Sequence, residues 1–242
     1  NVNIKNSDFS SNTGKGIYLE RAKNLVIENN TMNNSGTANE TTNWNAGIDI
    51  NLKFATYSDI QIKNNTITNS GTGTGSLADG PAAIAIKARD DASSYNTNPA
   101  SLSNVIISGN TILGSTNGIR LGEFGKVNQG PSGVTITKND LSYAFPGKAI
   151  VNNTNANIGI ICNWHGTTDY PTIQGQLSAS GTGVNVISSY STDNSYASCT
   201  PAPCNITAVN NSDGGAVIVE GTGTRGGSLV FTAPAGYDSY KW

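Results

Sequence analysis

The chain has 242 residues, a net charge of −2 and only 12% charged residues, about half the usual share of ~25%. That balance leaves no electrostatic footprint for nucleic acid or an acidic membrane surface. No run approaches the roughly 18–20 apolar residues of a membrane span, so no membrane insertion is expected. The 33 Asn and 28 Gly, with abundant Ser and Thr, disfavour helix and favour turns and short strands.

In chain order, six segments align without gaps on the template apolar-x-apolar-x-x-Asn-x-apolar. They are VNIKNSDF at 2–9, LVIENNTM at 25–32, IQIKNNTI at 60–67, VIISGNTI at 105–112, VTITKNDL at 134–141 and IGIICNWH at 158–165. The third position is Ile4, Ile27, Ile62, Ile107, Ile136 and Ile160, with spacings of 23, 35, 45, 29 and 24. The short spacings predict bare coils and the long ones coils that carry a loop. A second strand follows each of the first five segments: GIYL, GIDI, AIAI, GIRL and AIV. Their period-2 alternation places flanking residues inward and the middle one outward. Repeats made of strands without an intervening helix exclude βαβ units and predict a solenoid.

These repeats resemble the right-handed parallel β-helix, or pectin-lyase-like, superfamily over roughly residues 1–165. The resemblance implies an all-β solenoid of about six rungs. It also implies an internal hydrogen-bonded ladder of stacked Asn30, Asn65, Asn110, Asn139 and Asn163, with Ser7 in that phase on the first rung. Asn64-Asn65-Thr66 also fits a glycosylation sequon, but its chemistry is read as that of a turn; Asn39 in a loop is the more reachable acceptor.

Beyond the repeats, Asp169-Tyr170-Pro171 predicts a short capping helix near 171–178, and VNVISSY a last strand. The predicted organisation is a β-helix with its cap over 1–190, a linker over 191–204, and a β-rich segment over 205–242. AVIVEG and SLVFTAP read as strands separated by a Gly-rich turn. This segment resembles the start of an immunoglobulin-like module. NWHG resembles a segment that often ends β-helix domains in secreted bacterial surface proteins, which implies an extracellular location. The chain is read as a mature or excised piece of something longer. Cys199 and Cys204 flank TPAP and are expected to pair, leaving Cys162 as a buried thiol.

The outward column of the second strands is read as Tyr18, Asp49, Ala85, Arg120 and Ile150. The resemblance implies that enzymes of this class act on acidic polysaccharides from such a face. Asp49 would be the base, and Lys87, Arg89 and Arg120 would supply cations. Against an enzyme, Asn51 stands where the epimerase-like motif has His, and exposed charges on a solenoid are ordinarily solvated. Trp44, Tyr95 and Tyr18 are candidate sugar-stacking residues. Asp90 and Asp91 are the candidate seat for calcium; no other cofactor is expected. The leading expectation is a non-catalytic stalk or adhesion module that contacts a polysaccharide or surface glycan through its loops. The alternatives are a lyase or epimerase, and a fibre subunit that self-associates through its ends or terminal strands.

Overall fold

The computed structural model describes residues 1–38, 45–73, 80–126, 130–206 and 221–224. The chain divides into two compact units, Asn1–Thr200 and Pro201–Trp242. The first is the solenoid. Each template segment begins with a strand of one long sheet: β1 (Val2–Lys5), β3 (Leu25–Glu28), β6 (Thr56–Lys63), β9 (Ser101–Ser108), β12 (Ser132–Thr137) and β14 (Ile158–Asn163). After the turn come β4 (Thr31–Asn33), β7 (Thr66–Thr68) and β10 (Thr111–Leu113), which form a second sheet. The third sheet holds β2 (Lys15–Leu19), β5 (Ala46–Leu52), β8 (Ala82–Ala88), β11 (Asn117–Leu121), β13 (Ile150–Asn152) and β15 (Leu177–Ala179). Neighbouring rungs pair in parallel.

The register follows the sequence template. Ile4, Ile27, Ile62, Ile107, Ile136 and Ile160 are successive partners along the first sheet. Ile17, Ile48, Ile84, Ile119 and Ile150 do the same along the third. Both columns face one continuous core, most of it fully buried. Rung lengths differ only in their loops, so inserting residues outside the strands leaves the isoleucine stack unbroken. Ile150 belongs to this inner column, and Val151 is the partner of Arg120. Ile150 therefore does not extend the outer column, because a one-residue slip exchanges the two faces of a strand.

The turn after each strand of the first sheet uses two residues in two ways. Asn6, Asn29, Asn64, Gly109, Lys138 and Cys162 each have φ between 51° and 65°, the left-handed region where Asn and Gly are least strained. The next residue points inward. Asn30, Asn65, Asn110, Asn139 and Asn163 are buried and form the ladder. Asn30, Asn65, Asn110 and Asn139 each donate their side-chain and backbone N–H groups to Oδ1 of the Asn on the following rung, at 2.9–3.0 Å. Each ladder amide also donates back to a core isoleucine carbonyl of the preceding rung. Ser7 joins through its backbone N–H, while its hydroxyl turns to Lys5 of its own rung.

The cap forms as expected but ends earlier. Helix α1 (Tyr170–Gly175) starts where Asp169 accepts from the Thr172 backbone N–H at 3.0 Å, and it buries Ile173. It stops before 178 because Leu177 enters β15 and pairs with Ile150 of the fifth rung. Two further strands, β16 (Asn185–Ser191) and β17 (Cys199–Pro201), extend the first sheet. The stretch expected as a linker thus carries sheet structure.

The disulfide joins Cys162 to Cys199, with Cα atoms 5.3 Å apart, so the expected Cys199–Cys204 pairing is incorrect. Cys162 is the left-handed turn residue of the last rung, and the extra strands bring Cys199 beside it. Cys204 lies on β18 (Pro203–Ile206), which pairs antiparallel with β19 (Gly221–Thr224). The latter occupies part of the stretch expected as a Gly-rich turn. The strands expected from 216–220 and from 228 onward lie outside the described residues.

Candidate functional site

The third sheet carries the candidate charges, and it is not an open face. Strands β5, β8 and β11 are buried along their whole length, on both sides. Asp49 and Arg120 are each 1% exposed and Lys87 3%. The expectation that these groups are solvated is therefore incorrect. Asp49 forms an ion pair with Lys15 of the preceding rung through Oδ2, and its Oδ1 is buried without a hydrogen bond. Arg120 donates through Nε to the Gly80 carbonyl at 3.1 Å and through a terminal nitrogen to the Gly122 carbonyl at 2.9 Å. Lys87 stands opposite Asn51 in the parallel register. Burial pushes its ammonium below the usual lysine range, and the nearby Asp49 charge only partly offsets this.

A second constellation lies where β2, β5, β8 and β11 leave the third sheet. Phe54, two residues past β5, is held at φ 64° and is 37% exposed. A bulky side chain in that region is strained, and such strain clusters at functional positions. Its ring packs against Tyr95 with centroids 5.3 Å apart. The Arg89 guanidinium lies 4.4 Å from the Tyr95 centroid, and the Lys53 ammonium 5.7 Å. Arg89 forks onto Asp91 with bonds of 2.6 and 2.8 Å, and this pairing holds the Asp91 carboxyl below its ordinary range. Glu123 lies 4.0 Å from Arg89, and Lys126 3.8 Å from Asp91. Lys53 pairs with Glu20, which also accepts from the Tyr18 hydroxyl at 2.5 Å. The hydrogen bond from Lys53 and then that from Tyr18 depress the Glu20 carboxyl. Tyr18 is 44% exposed and Phe124 54%.

The sequence candidates therefore separate into two groups. Asp49, Lys87 and Arg120 are buried on the outer side of the third sheet; Arg89, Asp91, Tyr95 and Tyr18 belong to the loop cluster. Trp44 lies outside the described residues. Both oxygens of the calcium candidate Asp91 already accept from Arg89, and Asp90 is partly buried beside it. Among the described residues, no three His, Cys, Asp or Glu side chains gather into a metal-binding group.

Phe54 and Phe124 were not singled out from sequence as binding residues. Their only local signal is two aromatic residues placed just after second strands. Also missed was a serine ladder one turn beyond the asparagines. The Asn12 backbone N–H donates to Ser35 Oγ at 3.3 Å, and that of Ser35 to Ser70 Oγ at 3.0 Å. Its signal was the repeated Asn-Ser-Gly at 34–36 and 69–71.

Three parallel sheets, a stacked isoleucine core and an internal amide ladder define a β-helix solenoid. The family model described as the right handed beta helix region matches residues 1–164, and the chain belongs to that family. Comparison with curated proteins and with solved structures returned no match.

Proposed function

We propose that this chain is a rigid, non-catalytic module of a secreted or cell-surface protein, which presents carbohydrate with the loop cluster at the edge of its third sheet. The observation that carries the reading is Phe54. It is strained, partly exposed and packed at a tilt against Tyr95, whose ring is flanked by Arg89 and Lys53. Aromatic rings with polar neighbours on loops of a rigid scaffold suit the apolar face and hydroxyls of a sugar ring. The solenoid supports this role by holding the loops at fixed spacing, since each rung is tied to the next by backbone and ladder hydrogen bonds.

An enzymatic reading draws on Lys87, because buried groups with displaced proton affinity are frequent in active sites. Its difficulty is access: Asp49, Lys87 and Arg120 are almost completely shielded, and a general base must come within hydrogen-bond reach of its substrate.

The test uses pectin, alginate and other uronans for turnover, read by the absorbance of unsaturated products, and immobilised polysaccharides for retention. Retention without turnover, lost in Tyr95→Ala with an unchanged circular dichroism spectrum, is the expected result. Turnover abolished by Lys87→Met or Asp49→Asn would overturn the non-catalytic reading.

A further inference from the structure

We infer that the loop cluster selects neutral carbohydrate rather than uronate or other acidic polymers; this rests on the reading of the cluster as a glycan surface. The argument is one of charge balance. The cluster holds three cations that face three carboxylates. Lys53 is taken by Glu20. Arg89 is taken by a two-bond fork to Asp91, with Glu123 4.0 Å away. Lys126 lies 3.8 Å from Asp91.

Every one of these cations therefore has a carboxylate of the same cluster against it. A uronate would have to displace one of those carboxylates or sit beside it, and like charges in contact are unfavourable. The pairs are also partly sheltered. The Arg89 side chain is 18% exposed and that of Asp91 10%, so separating them uncovers groups that water only partly reaches.

A neutral pyranose makes no such demand. Its C–H face can lie on Phe54 or Phe124, the exposed rings. Its hydroxyls can donate to carboxylate lone pairs that the cations leave available, as in other sites that combine apolar walls with a few placed polar groups. The two rings follow β5 and β11, with β8 between them. Two rung steps span about 10 Å along the axis, which favours an oligosaccharide lying along the solenoid over a single sugar.

The test titrates the chain with neutral gluco-, xylo- and manno-oligosaccharides and with oligogalacturonate and oligoalginate, by calorimetry at low and high salt. Neutral oligomers are expected to bind with little dependence on salt, since no ion pair with the ligand is formed. Phe54→Ala and Phe124→Ala should each weaken binding roughly tenfold, with fold retention checked by circular dichroism. Binding of the uronates instead, weakened by salt and still lost in Phe54→Ala, would overturn the neutral assignment while leaving the glycan surface in place. Failure of both series to bind would overturn the glycan surface itself.

Discussion

Asn65 Oδ1 accepts twice from Asn30, from its backbone N–H and from its side-chain amide, each at 3.0 Å. The two residues are 35 apart in sequence, yet they occupy the same position on successive rungs. The rung-to-rung tie at the tight turn is thus made by a side chain where the backbone alone could not close it. Buried N–H groups left without such a partner are costly.

The ladder should therefore be most sensitive at its middle. Asn65→Ala removes the acceptor for the Asn30 backbone N–H and the donor to Ile27, and it should cost about 3 kcal/mol. Ser7→Ala keeps the backbone bond to Asn30 and should cost less than about 0.5 kcal/mol. In the serine ladder, Ser70→Ala orphans the Ser35 N–H and should cost about 1 kcal/mol. Ser115→Ala should be close to neutral, because the Ser115 hydroxyl is buried without a hydrogen bond. Urea unfolding of the four variants orders them; equal losses at Asn65 and Ser7 would contradict the ladder account.

The Cys162–Cys199 bond closes a loop of 37 residues that contains α1, β15 and β16. Chain entropy puts its contribution at roughly 4 kcal/mol. Cys199→Ser should release the cap before the rungs, seen as faster proteolysis around the exposed stretch 179–182. Cys204→Ser should leave the non-reducing peptide map unchanged. A map showing Cys199 joined to Cys204 in the folded protein would refute this pairing.

His165 keys the cap to the last rung. Its Nδ1 lies 2.9 Å from Gln176 Oε1, the Gln176 amide donates to the His165 carbonyl at 3.1 Å, and Nε2 is buried without a partner. Burial holds the imidazole below its usual range, and the contact with Gln176 only partly opposes this. The unfolded chain therefore takes up a proton near pH 6.5 that the folded chain resists. The stabilisation is complete above that pH and is lost as pH falls below it. Melting temperature should decline from about pH 7 to pH 5, and the decline should be shallower in His165→Gln. A wild-type profile that is flat across this range would contradict the buried neutral imidazole.

Lys87 carries a buried ammonium that forms no ion pair among the described residues. Lys87→Met replaces it with an apolar chain of similar length and should leave stability unchanged or raise it by about 1 kcal/mol at neutral pH. A loss above roughly 2 kcal/mol in chemical denaturation would show that the ammonium has a partner worth keeping.

Much of the architecture was legible because its cause is local and periodic. An apolar residue at every second position selects a strand, and a left-handed turn followed by Asn recurs wherever a rung must bend. The isoleucine register and the five ladder asparagines follow from that repetition. The cap helix could be read from Asp169 and Pro171 for the same reason. The cysteine pairing could not: closeness in sequence favoured Cys199 and Cys204, whereas β16 and β17 carry Cys199 back to the last rung.

The candidate site divides along the same line. The amino-acid pattern by itself determined which side of each strand faces the core, so it placed Asp49 and Arg120 on the outer side. Whether that outer side meets water depends on what the rest of the chain lays over it. Only the tertiary structure decided that, by burying β5, β8 and β11 on both faces. It also brought Phe54 of one rung against Tyr95, which shares the loop of the next rung with Arg89. Periodicity describes one strand at a time, whereas burial and charge pairing depend on neighbours dozens of residues away, brought close only when the coils stack.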